Sequence, residues 1–316
     1  MSSYSLALVI VTFNRIDDLK NTMRIYSRMQ DEYSHIIVVD NASTDGTTHY
    51  LSRIKPDFNG KMHILTMQTN EGGAGGFHEG LRCAVKLNTD WVWMSDDDAT
   101  PEENTLSNLR KHATDENNVY GSTAIATDSP DQLLCWPHAD LSRTDKKNRI
   151  NTFRTQMNPT TEVEFIPFLG FMISRKLTYK IGLPNKSYFI SGDDVEYSHK
   201  VRASGGKCIL IRDSILTHPR TPFYSVDLKI KTYQCHKLPP WRRFYDVRNR
   251  IWNATLTNGS TYGLAVSISL TFRLILTVLF EKEKFAQINA YLNGIIHGLF
   301  NYEESGNVKN IMMKKK

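Results

Sequence analysis

The sequence predicts an α/β protein with a mostly parallel sheet flanked by helices, followed by a C-terminal helical segment. Three observations predict it. Over the first hundred residues, β-rich apolar runs alternate with stretches of helical period, as in a parallel sheet joined by crossover helices. Polar clusters stand directly behind those runs, at the strand ends where such sheets bind ligands. From about residue 241 the strand signals stop and the pattern turns helical.

The elements follow in order. "LALVIVTF" (6–13) is apolar throughout and reads as a strand buried on both faces. "DDLKNTMRIYSRM" (17–29) places Leu19, Met23, Ile25, Tyr26 and Met29 at roughly helical spacing. "HIIVVD" (35–40) is a second strand. Behind it, "GTTHYLSRI" reads as a helix opened by Ser43, Thr44 and Asp45, whose side chains accept hydrogen bonds from the free amides of a helix start. "MHILTMQ" (62–68) is a third strand, and "GGFHEGLRCAVKL" (75–87) a helix behind a glycine-rich loop. "DWVWMSDDD" (90–98) is the fourth strand. Beyond residue 120 the alternation loosens. "EFIPFLGFMISRKLTYKIG" (164–182) suggests a strand and a short helix, "FISGDDVEYSHKVRASG" (189–205) a loop leading into a helix, and "KCILIRDSILTHP" (207–219) a strand. The most apolar stretch, 264–280, contains Arg273 and falls short of the ~20 apolar residues of a spanning helix, which predicts a buried or membrane-resting helix.

The chain has 316 residues, 40% of them hydrophobic and 23% charged, without repeats or low-complexity tracts; this excludes fibrous and disordered classes. A net charge of +6 and a pI near 9.0 suit anionic partners such as nucleotides or phospholipid headgroups. Cys83, Cys135, Cys208 and Cys235 are far apart with no C-x-x-C pair, which argues against a disulfide framework or zinc knuckle and for a reducing compartment. A strand pattern begins almost at the N-terminus with no basic stretch before it, so a cytoplasmic location is expected.

Five motifs carry chemistry. Three aspartates, Asp96, Asp97 and Asp98, crowd the end of the fourth strand and repel one another. Two carboxylates two positions apart can face one hard divalent cation, Mg2+ or Mn2+; alternatively the run is a solvated turn capping a helix begun at Pro101. "TNEGGAGGFHEG" (69–80) lacks the order of a dinucleotide fingerprint, but its glycines would let backbone amides approach a phosphate or sugar. "SGDDVEYS" (191–198) offers either a general base or helix capping by Asp193 or Asp194. His218, in "LTHPR", is either structural or a third metal ligand. "PPWRRFYDVRNRIW" (239–252) interleaves arginines with aromatics. It suits a cap over a sugar acceptor, or phosphate contacts by Arg242, Arg243 or Arg248. Asp246 within it, and the lack of any other basic stripe, argue against nucleic acid.

Taken in order, "VTFNR", "VVDNASTDGT", "TNEGGAGG", "DDD" and "GDDVEYS" resemble the inverting family 2 glycosyltransferases of the GT-A fold, over about residues 5–220. "NEGGAGGFHEG" with "DDDATP" is most similar to the bacterial galactofuranosyltransferases, which use UDP-galactofuranose. Rhamnosyltransferases of the family share "DNASTDGT" and an ending like "FYDVRN", so dTDP-rhamnose stays open as the donor.

The resemblance implies roles for individual residues. Thr12, Asn14 and Arg15 would lie by the nucleotide, and Asp40 near the uracil or ribose. Asn70, Gly72, Gly73, Gly75 and Gly76 would line nucleotide and donor sugar, with Asp96 and Asp97 also on the nucleotide sugar. Asp96 and Asp98 match the metal-binding DxD pair, and His218 the histidine completing a Mn2+ or Mg2+ site in the galactofuranosyltransferase branch. Asp194 matches the general base, with Asp193 where the family carries Glu. Residue type alone suggests Trp136, Trp241 and His236 for the acceptor surface.

The expected organisation is a nucleotide-sugar glycosyltransferase domain, 1–235, and a helical, membrane-associating region, 236–316. The expected activity is metal-dependent, inverting transfer of a hexose, galactofuranose first, from a UDP-sugar to a lipid-linked oligosaccharide or polysaccharide of the cell surface. The protein would work at the inner face of the membrane, on its anionic surface, without nucleic acid. A nucleotide-sugar-binding protein without turnover is the rival from another class.

Overall fold

The computed structural model describes residues 4–129, 131–143, 150–227 and 232–301. The first hundred residues form β1 (Leu6–Thr12), α1 (Ile16–Tyr26), β2 (His35–Asp40), α2 (Thr47–Ile54), β3 (Met62–Thr66), α3 (Gly72–Lys86) and β4 (Trp91–Asp96). β1 lies between β2 and β4 and runs parallel to both; β3 extends the sheet beyond β2. Chain direction along the sheet therefore switches sides at β1 and β4. That leaves a crevice at their carboxyl ends, where open α/β sheets take their ligands.

Alternation along β1 explains its all-apolar sequence. Ala7, Val9 and Val11 join Phe77, Leu81 and Ala84 of α3 in one core. Leu6, Leu8 and Ile10 join Leu19, Met23 and Tyr26 of α1 in the other, so successive side chains serve opposite faces. Each such side chain contributes about 1.5–3 kcal/mol on burial. A Cβ on Gly76 would lie 2.4 Å from Val11 Cγ1, and one on Gly80 2.3 Å from Val9 Cγ1. α3 can sit this close to β1 only because both residues lack side chains.

The sheet continues where the sequence signal loosens. Next come β5 (Thr100–Pro101), α4 (Thr105–His112), β6 (Val119–Ala126), β7 (Leu133–Ala139), β8 (Ile150–Phe153), β9 (Thr160–Val163), β10 (Phe171–Ser174), α5 (Arg175–Ile181), α6 (Asp193–Ala203) and β11 (Cys208–His218). The order through the sheet is β3-β2-β1-β4-β10-β6-β11-β5. β10 is antiparallel to both β4 and β6, and β11 is parallel to β6. Two expectations are corrected. α3 starts at Gly72, so the glycine run is its first turn and not a loop ahead of it. No helix begins at Pro101, which belongs to β5; α4 starts at Thr105.

β12 (Phe223–Asp227) and β13 (Thr232–His236) form a separate hairpin. Three helices follow, α7 (Pro240–Asn258), α8 (Ser260–Phe280) and α9 (Lys284–Phe300). Val247 and Ile251 of α7, Leu270 of α8 and Tyr291 of α9 share a small core. α8 runs 21 residues, longer than its apolar stretch suggested, and by length and composition alone could cross a membrane. Leu264, Ile268, Ile275 and Leu279 are exposed along it.

Candidate active site

β1, β2 and β3 end in register, Thr12 beside Asp40 and Asp40 beside Thr66, while Val11 pairs with Asp96 of β4. The expected strand-end clusters thus share one edge. Behind Asp96 the chain turns, and the turn is held from β1 and α1. Thr12 Oγ1 donates to Asp97 Oδ2 at 2.6 Å, and Thr22 Oγ1 to the Asp97 carbonyl at 2.6 Å. β5 then pairs antiparallel with the end of β11, Thr100 beside Thr217 and Pro101 beside Leu216. This two-residue strand carries Asp98 to the last residue of β11, His218.

Asp96, Asp98 and His218 each offer one ligand atom, and these atoms all lie within 4.8 Å of one another. His218 Nε2 is 3.2 Å from Asp98 Oδ1, but without hydrogen-bond geometry. Asp98 Oδ1 and His218 Nδ1 are buried with no hydrogen-bond partner among the described residues. Buried polar atoms are rarely left so. Two carboxylates and an imidazole converging, with Asp98 Oδ1 unpartnered among them, fit a divalent ion of the Mn2+ type. The capping alternative for the aspartate run lapses with the absent helix.

Burial, then the charges of Asp98 and Asp97, push the Asp96 carboxyl well above the usual range. Burial also pushes Asp97 up to about 6, against the Thr12 hydrogen bond and Arg15. For Asp98, burial is outweighed by its contact with His218 and by Arg15, and its carboxyl is held below the usual range. Arg15 Nη1 pairs with Asp98 Oδ2 and lies 3.4 Å from Asp97 Oδ1. Part of the like-charge repulsion among the three aspartates is met by this arginine.

The other expected nucleotide residues hold the surrounding loops. Asp40 is fully buried and accepts from Ser43 N at 2.9 Å and from Thr48 Oγ1. Asn14, in a left-handed conformation, accepts from Thr44 N at 2.7 Å. Asn70 Oδ1 accepts from Gly72 N at 2.8 Å. Asn41, which the sequence reading missed, accepts from Glu71 N at 3.0 Å and donates to the Gly72 carbonyl at 2.8 Å. It stands next to Asp40 in "VVDNAS", the signal that might have drawn attention. Of the four glycines, only Gly73 has open space where a side chain would go. Gly76 serves packing on Val11, and a Cβ on Gly75 would strike Glu71. Gly72 has φ +70°, and a Cβ there would lie 2.0 Å from the Phe189 carbonyl oxygen.

That contact joins the glycine turn to the segment leading into α6. Gly192 precedes α6, and no side chain caps the helix, so neither Asp193 nor Asp194 is its N-cap. Asp194 Oδ1 accepts from Val195 N at 2.8 Å. Burial raises both carboxyls, and Asp193, only 7% exposed and next to the Asp194 charge, is raised further. An elevated carboxylate at a loop–helix junction suits proton abstraction near neutral pH.

The arginine–aromatic segment divides. Arg243 forms a buried ion pair with Glu281 at 2.8 Å, and Arg248 donates to the carbonyls of Ser187 and Tyr188; both are structural. Arg242 lies within electrostatic reach of the acidic turn. Burial lowers its pKa, Arg15 repels it, and Asp246, Asp96 and Asp98 attract it, while its Nε is buried with no hydrogen-bond partner among the described residues. Trp136, on β7, packs its ring 5.6 Å from that of His218. Trp241 is exposed beside Arg242, and His236 ends β13, where its carbonyl accepts from Arg243 Nη2 at 2.8 Å.

The family model described as Glycosyl transferase family 2 matches residues 7–182. The galactofuranosyltransferase GlfT1 of Mycolicibacterium smegmatis is 27% identical over 252 residues, 77% of this chain and 80% of that protein. The dTDP-rhamnosyl transferase RfbF of Shigella flexneri is 23% identical over 296 residues, 92% of this chain and 94% of that protein. Among solved structures, the mannosyltransferase PcManGT from Pyrobaculum calidifontis, in complex with GDP-Man and Mn2+, superposes with a TM-score of 0.54 at 16% identity. The match covers 95% of this chain and 89% of that one. The fold is the expected GT-A type. Asp194, His218 and α7 all lie beyond the family match.

Proposed function

The chain belongs to glycosyl transferase family 2 and is a glycosyltransferase; from that premise we propose metal-dependent, inverting transfer of a hexose from a nucleotide sugar to a glycan hydroxyl. The observation that carries the metal reading is the convergence of Asp96, Asp98 and His218, with Asp98 Oδ1 buried and unpartnered. These three residues would hold Mn2+ or Mg2+, whose chemistry is Lewis-acid support of the departing diphosphate. Arg15 and Arg242 flank the same turn and add fixed positive charge for phosphate oxygens. Asp194, raised by burial, takes the proton of the acceptor hydroxyl as its oxygen attacks the anomeric carbon. One displacement inverts the configuration, and no covalent intermediate is required.

The GlfT1 relatives and the "NEGGAGGFHEG" segment favour UDP-galactofuranose as the donor. A second reading, dTDP-rhamnose, is favoured by RfbF, which aligns over more of the chain, and by "FYDVRN". Trp136 beside His218, with Trp241 near Arg242, supports an acceptor surface at the mouth of the site. The exposed apolar faces of α8 and α9 favour a lipid-linked acceptor met at an anionic membrane surface, on its inner face.

A donor screen read by mass spectrometry decides the donor: UDP-galactofuranose and dTDP-rhamnose, each with Mn2+ or EDTA. UDP release from UDP-galactofuranose that stops with EDTA supports the first reading. Turnover of dTDP-rhamnose alone replaces it. Turnover of neither, with UDP still bound, points to a different UDP-sugar as the donor.

A further inference from the structure

The segment that delivers Asp193 and Asp194 is bent sharply. Phe189 has φ +61°, Ser191 +69° and Gly192 +85°. Positive φ at Phe and Ser is sparsely populated and persists only where the surroundings impose it. Here the surroundings are one face of α7. The single Nδ2 of Asn249 donates to the carbonyls of Tyr188 at 3.0 Å, Ile190 at 2.9 Å and Ser191 at 2.7 Å. An amide nitrogen has two hydrogens, so at least one is shared between carbonyls. Asn249 Oδ1 accepts from Arg248 Nε at 2.9 Å, which fixes which end of the amide faces the loop. Arg248 Nη2 donates to the carbonyls of Ser187 at 2.6 Å and Tyr188 at 3.1 Å, and its guanidinium lies 4.1 Å from the Trp252 ring centroid. Asn253 Nδ2 donates to the Gly192 carbonyl at 2.9 Å, and its Oδ1 accepts from Tyr188 Oη at 2.8 Å. The Gly192 carbonyl also accepts the first bond of α6, from Glu196 N at 3.0 Å.

Asn249 is 1% exposed and Arg248 9%, so these donors do not compete with bulk water. On its other side the same segment meets the glycine turn, where Ala74 N donates to the Phe189 carbonyl at 3.1 Å. The base loop is therefore gripped between the turn expected to face the donor and a helix from the C-terminal segment.

We infer that Asn249, supported by Arg248 and Asn253, is a positioning residue for the transfer reaction: by holding the carbonyls of Tyr188, Ile190 and Ser191 it sets where the Asp194 carboxylate stands. α7 thereby completes the catalytic apparatus from beyond residue 236. This rests on the reading of Asp194 as the base, and the experiment separates the two.

Asn249→Ala and Asn253→Ala are compared with wild type and Asp194→Asn in four readouts. These are the thermal midpoint, UDP affinity with Mn2+ by calorimetry, kcat and KM for hydrolysis of whichever nucleotide sugar the wild type turns over, and the pH profile of kcat/KM. Water stands in for the acceptor hydroxyl. Asn249→Ala should keep UDP affinity within about twofold while kcat falls on the order of 10²-fold, the size of effect expected of a small misplacement of a reacting group. Its acid limb should also move, because the burial of Asp194 changes. Asn253→Ala, which removes only the bonds to the Gly192 carbonyl and the Tyr188 hydroxyl, should show the same split at roughly a tenth of that loss, and it decides the matter if Asn249→Ala does not fold. Wild-type kcat in a folded Asn249→Ala or Asn253→Ala, or UDP affinity falling in step with kcat, overturns the positioning role. Undiminished hydrolysis in Asp194→Asn overturns the base assignment instead.

Discussion

His218→Ala isolates the metal reading. The imidazole comes from the far end of β11 and is one of three converging ligands, so its removal leaves Asp96 and Asp98 alone on one turn. Changes outside the coordination shell already weaken metal binding about 10–100-fold. Loss of a ligand is placed at the upper end, roughly 100-fold in Kd. With Mn2+ at 100 times the wild-type Kd, binding stabilises the folded chain by about 2.7 kcal/mol. In the variant the same concentration only equals Kd, and the stabilisation is about 0.4 kcal/mol. An unfolding entropy of ~2.1 cal/mol/K per residue, over 316 residues, converts these into midpoint shifts of about 4 °C and under about 1 °C. Scanning calorimetry with and without Mn2+ reads the shift within each protein, so any change in metal-free stability cancels, including loss of the Trp136 contact. A variant shift equal to that of wild type refutes a site that includes His218.

The remaining predictions concern the base and the arginines. Asp194→Asn should lower transfer by about 10²–10⁴-fold, the usual contribution of a general base, while UDP binding persists. The base works only when ionised, and burial raises its pKa, so activity should be lost as pH falls through a value above the ordinary carboxylate range of ~4. An acid limb at ~4 or below speaks against this carboxylate. Arg243→Ala should destabilise the fold by about 3–5 kcal/mol in chemical denaturation, because Glu281 is then buried without its partner. Arg242→Ala should leave stability nearly unchanged and weaken UDP binding by roughly tenfold, about the 1.4 kcal/mol of one charge-assisted contact. Equal effects of the two substitutions on UDP binding would erase the division between them.

What the sequence disclosed was local. Four strands and the clusters behind them were legible because period and adjacency are properties of neighbouring residues. Asp96 and Asp98, two apart at a strand end, needed no knowledge of the rest of the chain. The meeting of His218 with Asp98 did, since it depends on a two-residue strand, β5, too short to show any period. It was reached through resemblance, not from pattern. β6 escaped notice because "VYGSTAIA" looks polar and turn-like. Its small residues are required by packing: a Cβ on Gly121 would strike Ile166, and Ser122 Oγ bonds Ser214 Oγ at 2.9 Å. The opening of α3 misled for a similar reason. Glycine costs about 1 kcal/mol relative to alanine inside a helix, so a glycine run reads as loop, yet close approach of Gly76 to β1 and of Gly72 to the Phe189 carbonyl overrides that preference. Asn249 stood inside "FYDVRN", noted only for its likeness to rhamnosyltransferases; its role went unread, because a side chain that bonds main-chain carbonyls leaves no spacing to detect.

Arg15 gives the acidic turn a counter-ion that is part of the polypeptide itself. The crowded charges of the turn are therefore partly neutralised within the folded chain itself. The guanidinium is also half exposed, with room to swing. On the proposed metal reading, loading the donor would be a trade of partners, in which the arginine leaves a carboxylate for a phosphate and the released carboxylate turns to the ion. Nucleotide and metal would in that case arrive as a joint event, each easing the entry of the other.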